Sequence, residues 1–184
     1  MGTQSLLQRL LALLRDRSVR RGIFTLASGK TSDFYVDARQ TTLNAEGAWL
    51  VGKLVLERLQ DDVAGVGGLS LGADPIACAT AAVGFSEGRM VHAFLIRKQP
   101  KGHGTGRSVE GLANLPPGSR VAVVEDTTTT GGSLLRAVAL AREAGLEVVQ
   151  CITLVEREEG AVQTVRDAGL ALEAITTRSD LEAG

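Results

Sequence analysis

From residue 65 onward the chain alternates short runs that are apolar throughout with segments of helical period, and that alternation narrows the possible folds more than any single motif. "GVGGLSLGADPIACATAAVGF" reads as a buried strand, a glycine-rich turn and a helix begun at Asp74 and Pro75. "MVHAFLIRK" (90–98) and "RVAVVE" (120–125) are strands, and "GGSLLRAVALAREAG" is a helix closed by Gly145. "LEVVQCITLVE", "GAVQTVRDAG" and "LALEAITT" complete the series as strand, helix and last strand. Strands without polar alternation are buried on both faces, and helical crossovers make them parallel. The expectation is an α/β fold, a central and mostly parallel sheet flanked by helices.

The N-terminal part is different. "SLLQRLLALLRDRS" has the spacing of an amphipathic helix, and its interrupting Gln8, Arg9, Arg15 and Asp16 argue against a signal peptide. "GIFTLASGKTSDFYVDAR" (22–39) gives two extended segments around a turn at Ser28, Gly29 and Lys30. Residues 45–60 space Trp49, Leu50, Leu54, Leu56 and Leu59 roughly along one helical side, with Asn44 placed to cap the start. At 184 residues, one domain is expected: an N-terminal helix and hood over about 1–40, and an α/β core over about 41–176.

Composition excludes more than it proposes. A net charge of −1, with 20 basic against 21 acidic residues, lacks the basic excess of a dedicated nucleic-acid binder. No apolar run approaches the roughly 20 residues that span a bilayer. Cys78 and Cys151 stand far apart inside apolar runs, which suits reduced core residues in a cytoplasmic protein.

The stretch "VAVVEDTTTTGGS" carries the chemistry. The apolar run 121–124 delivers Glu125 and Asp126 to the carboxyl edge of the sheet, where ligands of such folds bind. Residues 127–133 then turn into a helix beginning near Leu134. The first N–H groups of a helix lack intrahelical partners and sit at the positive end of its dipole, which makes an anion site. Gly131 and Gly132 let the backbone approach a phosphate, and Thr127, Thr128, Thr129, Thr130 and Ser133 supply hydroxyl donors. A bare phosphate has no use for two carboxylates. A phosphorylated ribose does, because its 5-phosphate fits the turn while its vicinal hydroxyls, or a bridging Mg²⁺, fit the acids. The lysine-containing phosphate loop of nucleotide hydrolases is absent.

Upstream, "RKQPKGHGTGR" (97–107) gathers Arg97, Lys98, Lys101, His103 and Arg107 with no acid among them. It opens a glycine-rich stretch, 99–119, that holds three of the chain's four prolines and reads as a long loop. Concentrated cations on a mobile segment, about 98–110, suit a polyphosphate that must be gripped and released.

An apolar strand, an acid pair and a Thr/Gly turn resemble the 5-phosphoribosyl 1-diphosphate (PRPP) signature of type I phosphoribosyltransferases. The basic segment matches the R-K-x-x-K-x-H-G pattern of the orotate phosphoribosyltransferases among them, and "FTLASGKTSDFYVDAR" resembles their hood. The resemblance runs from about residue 20 to residue 176. It implies transfer of phosphoribose from PRPP to orotate, giving orotidine 5′-monophosphate and diphosphate in pyrimidine biosynthesis. It implies Mg²⁺ carried mainly by PRPP and lying near Glu125 and Asp126. It also implies a homodimer in which Lys101 and His103 act at the neighbouring subunit's diphosphate, with Arg97 and Lys98 at the root of the loop. Catalysis would rest on Lys101, His103 and Asp126, and the glycosyl-transfer transition state would spread positive charge over the sugar.

For the base, Arg157 in "LVEREEG" offers a guanidinium fork suited to a carboxylate on a planar ring. The resemblance adds Thr129, Ser28 and Gly29 as orotate contacts, while Phe34 and Tyr35 either stack on the base or pack as core. Two lysines common in the family are replaced, by Ala27 before the Ser-Gly pair and by Ala73 in the turn after the third strand. His92 is expected mid-strand as a structural residue. Two other readings use the same site. One is a phosphoribosyltransferase for a purine, which would leave Arg157 without a carboxylate. The other is a regulator that senses PRPP or binds RNA, against which the complete basic segment and the acid pair both stand.

Overall fold

A computed structural model describes residues 3–25, 31–98 and 108–183. Helix α1 (Thr3–Arg17) leads into an antiparallel ribbon of β1 (Val19–Thr25) and β2 (Thr31–Val36), then a single turn α2 (Arg39–Thr42). Helix α3 (Ala45–Leu56) begins at Asn44, whose side chain accepts from the N–H groups of Glu46 and Gly47 at 3.1 Å each. A cap of this kind contributes about 1 kcal/mol. There follow β3 (Gly65–Leu69), α4 (Ala73–Ser86), β4 (His92–Ile96), β5 (Val109–Glu110), β6 (Arg120–Thr128), α5 (Gly132–Glu143), β7 (Glu147–Glu156), α6 (Ala161–Asp167), β8 (Leu172–Thr177) and α7 (Arg178–Glu182).

The main sheet has the order β5-β4-β3-β6-β7-β8, parallel except where β5 runs against β4. Strand β6 shows why its sequence lacks alternation. Ala122 and Val124 pack on one face with Leu50, Leu54, Ile76 and the α1 leucines Leu6, Leu10 and Leu14. Val121 and Val123 pack on the other with Leu134, Val138 and Val165 of α5 and α6. Every large side chain so buried stabilises the fold by about 1.5–3 kcal/mol, so both faces of the strand must be apolar.

Several expectations change. Strand β6 does not end with its apolar run but continues to Thr128, because pairing with β7 persists through Glu125–Thr153, Thr127–Val155 and Thr128–Glu156. The turn into α5 is correspondingly shorter than 127–133. The long loop expected to extend to residue 119 stops earlier: Val109 is buried and pairs with Ile96, and a 3₁₀ turn spans Leu112–Asn114. Trp49 is 44% exposed, off the buried side that Leu50 and Leu54 define. Cys151 is buried as expected, whereas Cys78 lies exposed on α4. His92 opens β4 and is half-buried. The short helices α2 and α7 had no counterpart in the sequence reading. Among the described residues no helix is long and apolar enough to cross a membrane.

Candidate active site at the carboxyl edge of the sheet

The strand order reverses direction between β3 and β6. From β3 the chain crosses through α4 to β4 on one side, and from β6 through α5 to β7 on the other. The connections diverge and leave a crevice at the carboxyl ends of the two strands. Gly68 lets them close: a β-carbon there would meet the Val124 carbonyl oxygen at 2.1 Å. The crevice opens into a cleft of about 350 Å³ lined by Tyr35, Asp37, Arg39, Gly72, Lys98 and Asp126, among others.

The two acids separate. Asp126 lines the cleft, with its Oδ1 accepting from the Thr127 N–H at 2.9 Å. Successive residues of a strand face opposite ways, and the Glu125 carboxylate instead accepts from the Thr128 hydroxyl at 3.0 Å. Thr128 Oγ1 also lies 2.8 Å from Thr153 Oγ1 on β7, a buried hydroxyl pair behind the acid. Burial pushes the Glu125 carboxyl up to about 7; the Thr128 hydrogen bond opposes the shift, neighbouring Asp126 adds to it, and Lys98 opposes it. Asp126 is also raised by burial, against the pull of the Thr127 N–H and of Arg39. A carboxyl whose charge is disfavoured by desolvation favours a ligand that brings donors or a cation to it.

Two cleft residues were missed by the sequence reading. Asp37 and Arg39 follow β2, and the Arg39 Nε donates to Asp37 Oδ1 at 2.8 Å. That hydrogen bond, with further help from Gln40, holds Asp37 below its ordinary range in spite of its desolvation, and it raises Arg39 in turn. The signal was present in "VDAR", an acid and a base two apart just beyond a strand.

Beyond Asp126 the chain passes from β6 into α5 through a short turn over residues 129–131. Gly131 takes φ of +86°, a left-handed conformation that favours glycine, and α5 starts immediately after it. Its first backbone N–H groups, with exposed Thr130, Gly132 and Ser133 and half-buried Thr129, face outward at this end of the helix. Thr127 Oγ1 is buried without a hydrogen-bond partner among the described residues.

The basic segment is described only at its root. Lys98 lines the cleft, and its carbonyl accepts from Arg136 Nη2 of α5 at 2.8 Å. Arg97 faces an adjoining depression with Ser70, Leu71 and Asp74, and its Nε donates to Glu110 at 2.9 Å. The Arg97 N–H donates to the Ser108 carbonyl at 2.8 Å, so both ends of the segment are tied together. Lys101, His103 and Arg107 lie outside the described residues, as do Ser28, Gly29, Lys30 and Ala27 of the hood. Ala73 proves to be the buried first residue of α4. The turn position that faces the acid is Gly72, where a β-carbon would meet Asp126 Oδ1 at 2.4 Å.

Arg157 follows β7 and is 5% exposed, not the solvated residue its glutamate neighbours suggest. Its N–H donates to the Thr128 carbonyl at 2.9 Å, and its Nη2 pairs with Glu159 at 2.9 Å. The guanidinium carbon sits 5.6 Å from the centroid of the Phe34 ring, which is buried in the core rather than open to the cleft. Arg157 Nε has no hydrogen-bond partner among the described residues. Tyr35, the next residue, lines the cleft. Phe34 thus settles as core and Tyr35 as lining.

The fold and this edge are those of a phosphoribosyltransferase, and residues 86–168 match the model of the phosphoribosyl transferase domain. An orotate phosphoribosyltransferase of Bradyrhizobium diazoefficiens is 46% identical over 175 residues, covering 94% of each chain. The crystal structure of Mycobacterium tuberculosis H37Rv orotate phosphoribosyltransferase in complex with inorganic phosphate is 39% identical, with a TM-score of 0.83 over 97% of this chain and 99% of that one. The same mycobacterial protein in complex with PRPP gives 36% identity and a TM-score of 0.78, over 96% and 99%. The chain belongs to the orotate phosphoribosyltransferase family.

Proposed function

We propose that this protein transfers the 5-phosphoribosyl group of PRPP to a ring nitrogen of orotate, releasing orotidine 5′-monophosphate and diphosphate. The observation that carries the reading is the carboxyl end of β6, which sets the half-buried Asp126 carboxylate on the wall of the cleft at the β3–β6 crevice and then, beyond Thr128, leads into the N-terminus of α5. A phosphorylated ribose matches that pair, with its phosphate on the helix end and its hydroxyls on the acid. Two roles follow for the protein's own groups: orienting the sugar against the base, and stabilising departing negative charge. Asp126 holds the ribose and lies beside the positive charge that develops on it. Lys98, with Lys101 and His103 of the basic segment, meets the diphosphate. Thr129 and Arg157, with Ser28 and Gly29 of the hood, receive the base, and the Arg157 guanidinium takes its carboxylate.

Among the described residues no group of three or more His, Cys, Asp or Glu is arranged to hold a metal ion. The desolvated Asp126 carboxyl on the cleft wall would suit Mg²⁺ arriving mainly on substrate oxygens, the usual habit of an ion that dehydrates reluctantly. When bound, it neutralises charge on the diphosphate. The shared-site homodimer, in which Lys101 and His103 reach the neighbouring subunit, belongs to the same reading, as does a cytoplasmic location.

The test is loss of orotate absorbance on adding PRPP and Mg²⁺, with a chelator control and a panel of purines. Orotate consumption that requires all three components is the expected result. Turnover of a purine in place of orotate would overturn the base assignment, and PRPP binding without turnover would turn the protein into a sensor. For the dimer, mixing Lys101→Ala with Asp126→Ala subunits should restore activity that neither variant has alone; no recovery would place each site within one chain.

A further inference from the structure

Glu158, next to Arg157, has φ of +59°, the left-handed region that L residues seldom occupy, and it is the one non-glycine among the described residues to do so. Such a conformation persists where surrounding contacts over-determine it. Those contacts come from α7. The Glu158 carboxylate accepts from the Ser179 N–H at 3.0 Å and from the Ser179 hydroxyl at 2.7 Å. From the other side, the Glu158 N–H donates to Glu156 Oε2 at 2.9 Å. Residue 178 adds a second link, since the Arg178 guanidinium carbon lies 5.1 Å from the centroid of the Phe34 ring on which Arg157 also rests. Helix α7 is itself anchored. Thr177 and Asp180 form a reciprocal capping box, and Arg15 of α1 donates to the carbonyls of Asp180 and Leu181.

We infer that α7 is a positioning element for Arg157: Ser179 fixes the turn that carries the arginine, and Arg178 fixes the ring beneath it. The inference rests on the reading that Arg157 receives the orotate carboxylate. A guanidinium fork rewards a carboxylate only when its plane is held. Among the described residues, the Thr128 carbonyl and Glu159 that bond Arg157 do not line the cleft, and the turn and ring behind the arginine are held by α7, so its aim is set from behind.

Steady-state kinetics on the intact protein test this, with KM for orotate and for PRPP measured separately. Ser179→Ala should raise the orotate KM about fivefold to tenfold, the loss of one charge-assisted hydrogen bond, with kcat and the PRPP KM unchanged. Ser179→Thr, which keeps the hydroxyl, should restore the wild-type value. Glu158→Gly removes the latch yet accepts the left-handed backbone, so it should raise the orotate KM with thermal stability retained. In an Arg157→Ala background, Ser179→Ala should have no further effect. An unchanged orotate KM in Ser179→Ala, an equal rise in the PRPP KM, or full additivity with Arg157→Ala would each overturn the inference. If Arg157→Ala itself leaves the orotate KM unchanged, the base assignment falls, and the inference with it.

Discussion

Glu125 and Asp126 at the end of β6 are held largely by groups within three residues of themselves, the Thr127 N–H and the Thr128 hydroxyl. Arg157, at the end of the neighbouring β7, is held by Phe34 of the ribbon and by a turn latched to Ser179. Both lie along the same sheet edge, yet one is assembled by a contiguous stretch and the other by segments more than a hundred residues apart. Local assembly fixes a carboxylate as soon as the strand pairs. Dispersed assembly makes the placing of Arg157 depend on α1, β2 and α7 all being in place.

The contrast can be broken or sharpened by mutation. Asp126→Ala should cost the most: a fall in kcat of about a hundredfold or more, equivalent to about 3 kcal/mol, with the melting temperature retained. A large loss of stability with little loss of rate would recast Asp126 as structural. Next in size is a pH effect at Glu125. Its carboxyl ionises near 4.5 in the unfolded chain but at about 7 in the folded protein. Between those values the folded state holds a proton that the unfolded state has released. Its contribution is therefore whole below 4.5, declines as pH rises through the window, and is lost above 7, about 3 kcal/mol in all. Urea unfolding at pH 5 and pH 8 should show this decline in the wild type and its absence in Glu125→Gln; parallel curves would refute it.

Gly72→Ala examines a neighbour, distant in sequence, that confines Asp126. The added β-carbon would fall 2.4 Å from Oδ1, so the carboxylate must swing away and the PRPP KM should rise about tenfold. A variant with wild-type KM would mean that the β3 turn yields instead. The smallest change is Thr153→Val, which keeps the volume but removes the hydroxyl that joins the two strand ends through Thr128. A loss of about 1 kcal/mol in unfolding free energy is expected, with KM for both substrates unaltered; a rise in either KM would show that the ends are coupled.

The same division explains what the sequence disclosed. The β6 motif lies within nine residues, so its acids, hydroxyls and glycines could be read together, and the parallel sheet followed from strands apolar on both faces. Arg157 was legible as a residue type but not in its burial, because Phe34 and α7 arrive from elsewhere in the chain. Nor could the apolar pattern show that β6 runs past Val124, since that extension depends on a ladder with β7. Strand β5 is two residues long and exists because Ile96 offers Val109 a partner. Glu158 gives no sign of its left-handed backbone, which in local terms asks for glycine.

The tie between Arg97 and Ser108 has a consequence for reach. With Arg97 and Ser108 fastened at the β4–β5 edge, the distance between these anchors and any residue joining them is bounded by chain length, at most about 3.6 Å per residue. Lys101 is three residues from Lys98, so its Cα stays within about 11 Å of that anchor. His103 is five residues from Lys98 and five from Ser108, and stays within about 18 Å of each. If Lys101 and His103 meet a partner's diphosphate as proposed, that diphosphate must sit close to this edge strand. The tether works as a ruler: under the proposed shared-site dimer, it admits only pairings that bring the β4–β5 edge of one copy over the cleft of the other.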